Sequence, residues 1–327
     1  MSALDLLNLA RAAAERAGEY LRGVRRPADP RGWTLKGSRD FVTEVDRTAE
    51  RIIADTLLEA EPAGRIVGEE LSPEVVTEGL VWIVDPLDGT ANFLHGYPWY
   101  AVSIAAAIDG VLEAATVVHV PRNEVYRASR GGGAWLAGRR LSVSTITDPD
   151  YALVGTGYPF KDLSRIEEYQ RHFGRVAAAT SGIRRAGAAA LDLASVAAGE
   201  FEGFWEQRLS AWDIAAGTLL IREAGGTVTD YSGRHIGIEH TGVVAGNPAI
   251  HAWLIETFEL DVCQKTALGI IKLGPAVDLG FEDQRRQKAR RGVHGEDVIE
   301  RPAIEISLAE VLPPVPAIPQ KGQAVQQ

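Results

Sequence analysis

Two carboxylates, Asp85 and Asp88, stand three apart in the stretch Val81-Trp82-Ile83-Val84-Asp85-Pro86-Leu87-Asp88-Gly89-Thr90. The apolar, β-branched run before them has the pattern of a buried strand, so both acids fall at a strand end. A strand end holds a charge rigidly, and Gly89 lets backbone N–H groups approach an anion closely. Two carboxylates about 4 Å apart repel by roughly 4 kcal/mol at an effective dielectric of 20. A shared proton or a hard cation must offset that repulsion. Pro86 fixes φ and removes a donor, so the strand is expected to stop at Asp85. The same residues also suit an ordinary strand closed by an Asp-Gly turn.

Further acids occupy comparable places. Gly68-Glu69-Glu70 follows the short apolar strand Arg65-Ile66-Val67, and Trp212-Asp213 opens a helical pattern with an acid in its first turn. Thr43 and Asp46 have the spacing of a capping box for a helix carrying Val45, Ala49, Ile52, Ile53 and Leu57. Cys263 is the only cysteine and no histidine pair has zinc spacing, so a metal bound here is expected to be hard and oxygen-ligated.

Gly68-Glu69-Glu70, Asp85-Pro86-Leu87-Asp88-Gly89-Thr90 and Trp212-Asp213, in this order, resemble the inositol monophosphatase family of Mg²⁺-dependent, Li⁺-sensitive phosphatases. The resemblance runs over about 4–260. It implies that Glu69, Asp85 and the carbonyl of Leu87 hold one Mg²⁺, and that Asp85, Asp88 and Asp213 hold another. It further implies that Thr90, linked to Asp46, orients the attacking water with help from Glu69. Lys36 and the block from Thr43 to Asp46 match the family's lysine and its Thr/Asp block. Asp88, Gly89, Thr90, Gly187, Ala188, Ala189, Glu206 and Asp213 would contact the substrate. One departure is Ala91, where many members carry a second threonine.

The activity implied is hydrolysis of a small phosphate monoester, inositol 1-phosphate before histidinol phosphate, fructose 1,6-bisphosphate or NADP. An aspartyl-phosphate route would need Asp-x-Asp, and two residues separate Asp85 from Asp88. The resemblance also implies a homodimer. Relatives of the extragenic-suppressor type imply a transcription-machinery partner.

The elements that must position these residues follow from pattern. Leu4, Leu7, Ala14, Ala17 and Leu21 make an amphipathic first helix. After the central motif, extended runs at 101–108 and 111–120 flank Asp109-Gly110, a hairpin signal. Gly131-Gly132-Gly133 lacks the Lys-Ser/Thr and helix of a phosphate loop and is expected to be a bulge or turn. From 152 strands and helices alternate. The expected fold is α/β (α+β), and the resemblance implies a layered αβαβα sandwich of the inositol monophosphatase/fructose-1,6-bisphosphatase type. It divides into 1–145, an α+β half with an antiparallel sheet, and 146–260, an α/β half. The stretch 261–327, with its basic run Gln284-Arg285-Arg286-Gln287-Lys288-Ala289-Arg290-Arg291, is expected to be a mostly disordered tail.

Composition narrows the class. With 327 residues, 46% of them hydrophobic, the chain can bury a sizeable core. A net charge of −10 argues against direct nucleic-acid binding. No signal peptide or membrane span is visible, so a cytoplasmic protein is expected.

Overall fold

The computed structural model describes residues 1–26, 34–37, 40–42, 44–159, 163–239 and 241–267. The chain divides into two units, Met1–Lys272 and Leu273–Gln327, and the second lies outside the described residues. The expectation of disorder from 268 onward and the capping role of Thr43 therefore fall outside them as well.

Helix α1 (Ala3–Gly23) starts at Ser2, which exchanges hydrogen bonds with Asp5 in a capping box. Its apolar stripe, including Leu6, Ala10, Ala14, Ala17 and Leu21, is buried together with Ala49, Ile53 and Leu57 of α2 (Glu44–Ala60). Between these helices lies a short hairpin, β1 (Thr34–Gly37) and β2 (Asp40–Val42).

A seven-stranded sheet follows, formed in spatial order by β3 (Arg65–Gly68), β4 (Leu80–Asp88), β5 (Ala101–Ile108), β6 (Val111–His119), β7 (Glu124–Ser129), β8 (Gly133–Leu136) and β9 (Arg139–Arg140). All neighbours are antiparallel except β3 and β4, which run parallel. Helix α3 (Thr90–His95) interrupts the path from β4 to β5. Asp109 and Gly110 both take positive φ, 49° and 80°, as a two-residue turn matching strand twist requires. The triple glycine is the turn between β7 and β8. Its Gly131 and Gly133 N–H groups donate to the two carboxylate oxygens of Glu223, each at 2.8 Å.

The second half contributes β10 (Leu153–Thr156), α4 (Ile166–Ala179), β11 (Gly182–Arg184), α5 (Ala189–Ala197), β12 (Gly203–Leu209), α6 (Ala211–Glu223), β13 (Thr227–Thr229), β14 (Thr241–Gly246) and α7 (Pro248–Ala267). Its five strands lie in the order β11-β10-β12-β14-β13. Strand β10 is parallel to both neighbours, while β14 is antiparallel to both of its own. Helix α7 runs to Ala267, past the boundary expected at 260.

Alternation along the strands sorts the side chains into layers. Trp82 and Val84 face α1 and α2, whereas Val81 and Ile83 face a middle layer of α5 and α6. Phe204 and Ala245 face that same middle layer from the smaller sheet, and Trp205 and Val244 face Val176 of α4 and Leu254 of α7. The order is helices, sheet, helices, sheet, helices: an αβαβα sandwich. Trp82 and Trp205 are fully buried, and truncating either to Ala would cost about 3–5 kcal/mol.

Pro86 does not end β4, contrary to the expectation from its fixed φ. The strand carries on to Asp88 through a bulge: Asp85 pairs with Ser103 and Asp88 with Ala101, so β4 has one residue more than β5. A proline is tolerated at a bulge because ladder bonding is already broken there. The extra residue re-aims the two acids.

Candidate active site

The bulge, the turn after β3 and the N-termini of α5 and α6 border one cavity of about 440 Å³. That lies within the range of roughly 300–1,000 Å³ common for small-molecule sites. Glu69, Asp85, Asp88 and Asp213 all line it. Asp85 is buried, and its carboxyl is pushed well above the usual carboxylate range, first by burial and then by Glu69, Asp88 and Asp213. The Leu87 N–H donated to Asp85 Oδ1 at 3.0 Å acts the other way without cancelling this. Among the described residues no three acids are drawn into a finished ion cage. Mutual repulsion favours such a spread arrangement.

Each acid is fixed by its element. Asp88 Oδ2 accepts the Ala190 N–H at 2.8 Å, tying β4 to the first turn of α5. Asp213 Oδ2 accepts the Ser210 N–H at 2.6 Å, so one oxygen caps α6. Glu69 sits just after β3, its N–H directed at the Val84 carbonyl at 3.3 Å.

Beside the acids, Gly89 has φ 88° and ψ 36°, and a Cβ there would lie 3.0 Å from the Trp99 carbonyl oxygen. Only glycine fits a turn that is both left-handed and this crowded. Thr90 follows, and its hydroxyl has two acceptors in reach: Asp46 Oδ1 at 3.0 Å and the Leu87 carbonyl at 3.1 Å. One hydroxyl hydrogen serves both. Asp46 is buried near the start of α2, 44 residues from Thr90 in sequence.

Of the residues expected to contact the alcohol, Gly187, Ala189 and Glu206 line the cavity. Ala188 lies between two of them but is buried, its carbonyl accepting the Asp192 N–H at 3.0 Å. The Glu206 carboxylate lies directly against Gly157, where even a methyl group would overlap it.

Three residues to which the sequence reading gave no part in the site help to build it. Glu50, buried in α2, accepts the Glu70 and Leu71 N–H groups at 2.7 and 3.0 Å and so holds the turn that carries Glu69. Asn92 donates its amide N–H groups to the carbonyls of Trp99 at 2.7 Å, Ala186 at 3.0 Å and Gly187 at 3.3 Å, fastening the first half to the loop before α5. Asp192 is a buried acid on the cavity wall. Its carboxyl is pushed well above the usual range by burial, Glu206 and Asp88. A lone acid inside the Ala-rich run Ala188-Ala189-Ala190-Leu191-Asp192-Leu193 was the available signal for it.

Residues 3–261 match the inositol monophosphatase family. The chain is 47% identical over 260 residues to the Nus factor SuhB of Pseudomonas aeruginosa, covering 78% of this chain and 96% of that one. Among solved structures it is similar to the extragenic suppressor protein suhB from Bartonella henselae, with a TM-score of 0.72, 39% identity and coverage of 78% and 98%. The Thermotoga maritima IMPase TM1415 is comparable, with a TM-score of 0.72, 32% identity and coverage of 80% and 99%.

Proposed function

The chain belongs to the inositol monophosphatase family, and from that premise we propose that it is a Mg²⁺-dependent hydrolase of phosphate monoesters, with inositol 1-phosphate cleaved to myo-inositol and phosphate. The observation that carries this reading is Asp85, a buried carboxyl crowded by Glu69, Asp88 and Asp213. The set gathers four carboxylates around one cavity and its donors are all oxygen, which fits a hard divalent cation. Glu69, Asp85 and the Leu87 carbonyl would hold one ion, and Asp85, Asp88 and Asp213 a second. Bound Mg²⁺ supplies charge neutralisation and polarisation of the phosphoryl oxygens.

The remaining roles belong to the chain. Gly89 and Thr90 offer backbone N–H groups to the phosphate. The Thr90 hydroxyl, its hydrogen directed to Asp46, keeps oxygen lone pairs available to accept a hydrogen bond from the attacking water. Glu69 assists in orienting that water. On the alcohol side, Glu206, Asp88, Asp213 and the backbone from Gly187 to Ala189 would read the hydroxyls.

The test is phosphate release by the purified protein with Mg²⁺, from inositol 1-phosphate beside histidinol phosphate, fructose 1,6-bisphosphate and NADP. Activity should vanish in excess EDTA and in Asp88→Asn, and should fall in millimolar Li⁺. Full turnover in EDTA overturns the reading.

A second reading is favoured by the relative named a Nus factor: the chain also binds a component of the transcription machinery. Capture of that component by both the native chain and the Asp88→Asn variant would separate binding from hydrolysis.

A further inference from the structure

Helix α2 buries two acids one turn apart, Asp46 and Glu50, beside its apolar residues Val45, Ala49, Ile53 and Leu57. Residues four apart share a helix face, and like charges so placed repel. Burying them is costly unless donors satisfy them, and the donors come from two different parts of the site. Asp46 Oδ1 lies 3.0 Å from the Thr90 hydroxyl, just past β4. Glu50 Oε2 and Oε1 accept the Glu70 and Leu71 N–H groups at 2.7 and 3.0 Å, just past β3.

Glu69 is thereby pinned from both sides. Its own N–H faces the Val84 carbonyl, next to Asp85, at 3.3 Å, and the two N–H groups after it are on Glu50. The Gly68 N–H donates to the Ser72 carbonyl at 2.9 Å and closes the turn. Gly68 also makes the approach possible, since a Cβ there would overlap Glu50 Oε1. Glu50 lies beyond the first turn of α2, so capping that helix does not account for it.

We propose that Glu50 is a positioning residue for the ion held by Glu69 and Asp85. By fixing the 69–71 turn against α2 it sets the reach of the Glu69 carboxylate. Through Asp46 on the same helix face, that carboxylate is kept in register with the Thr90 hydroxyl. This rests on the hydrolase reading above and adds a residue behind its ligands. The competing role is only to satisfy two backbone N–H groups, which would show in stability and not in ion affinity.

The test is calorimetric titration of the full chain with Mg²⁺ and no ester, beside the Mg²⁺ dependence of phosphate release from inositol 1-phosphate. Glu50→Gln keeps the size of the side chain but turns an NH₂ group toward one of the two N–H donors. It should weaken the binding of one Mg²⁺, and raise the Mg²⁺ needed for half-maximal rate, by about 10- to 100-fold, with KM for the ester nearly unchanged. Gly68→Ala displaces Glu50 with its carboxylate intact and should act the same way. The double variant should lose less than the two single losses combined. In the native chain, reciprocity requires Mg²⁺ to slow amide exchange at Glu70 and Leu71 more than at α1, a measurement that decides even if neither variant folds. Native Mg²⁺ affinity in Glu50→Gln with a lowered melting temperature overturns the proposal, and so does equal slowing at the turn and at α1. A native chain that binds Mg²⁺ but hydrolyses no ester removes the hydrolase reading and leaves Glu50 to the calorimetry. One that binds no Mg²⁺ overturns both.

Discussion

In the proposed mechanism Thr90 orients the attacking water through one hydroxyl, hydrogen-bonded to Asp46. Thr90→Ala leaves Asp85, Asp88 and the Gly89 N–H in place, so phosphate binding should change little while the water loses its orientation. Steady-state kinetics should show kcat reduced by about 10²- to 10⁴-fold with KM moving less. Asp46→Asn should act in the same direction, and the double variant should lose less than the two single losses combined. If Asp46→Asn lowers the melting temperature and leaves kcat intact, its carboxylate only caps α2, at about 1 kcal/mol. Glu69, Asp85, Asp88 and Asp213 were legible in the sequence because each stands at or just past the end of an apolar strand pattern or opens a helix, where the pattern changes period. The contacts of Glu50 and Asn92 were not: apart from Trp99, seven residues after Asn92, their partners lie 20 to 95 residues away, and only tertiary packing brings them together. Arg208, which lines the cavity with φ 58°, was hidden for another reason, since nothing in Glu206-Gln207-Arg208-Leu209 announces a left-handed residue.

Elements were read well where period decided them and poorly where a local rule met tertiary context. Strand β5 and its hairpin turn followed from the apolar run and Asp109-Gly110. Pro86, by contrast, ends a regular strand but not a bulged one, so β4 reaches Asp88 after all. The tie between β13 and α7 gives a measurable consequence at this scale. Thr229 Oγ1 lies 2.8 Å from the Asp230 carbonyl and 2.8 Å from His251 Nε2, which ties the strand to the helix. Burial, with His235 second, holds His251 down at about 4, against an ordinary 6.5. The folded state therefore binds fewer protons than the unfolded chain between those values, and this part of the stability is full above 6.5 and lost as pH falls toward 4. His251→Gln keeps a polar group near Nε2 without titrating. Melting curves from about pH 7 to about pH 4.5 should fall more steeply for the native chain than for this variant. Parallel curves would remove His251 from the acid response.

At the scale of the whole molecule, every residue of the cavity belongs to the unit Met1–Lys272. A chain ended after Lys272 should keep the turnover and melting temperature of the full one. Loss of either would mean that the C-terminal stretch supports the core. A stop at 260 is the wrong cut, because α7 continues to Ala267. The layer order came from the family resemblance, and the face each strand residue takes follows from alternation; the polar ties across the layers, such as Asp88 to Ala190, were invisible because they join residues far apart in sequence.

Those ties run through the acids themselves. Asp85 and Asp88 arrive on the larger sheet and Asp213 on the helix layer beneath it, while the Asp88–Ala190 bond crosses from one to the other. An electrostatically crowded point of the fold thus also joins two of its layers. Repulsion among the acids acts across that joint, and neutralising one should relieve it. Backbone hydrogen exchange should therefore slow at the first turns of α5 and α6 in Asp85→Asn, in protein stripped of ions, while exchange at α1 on the far side of the sheet stays as it was.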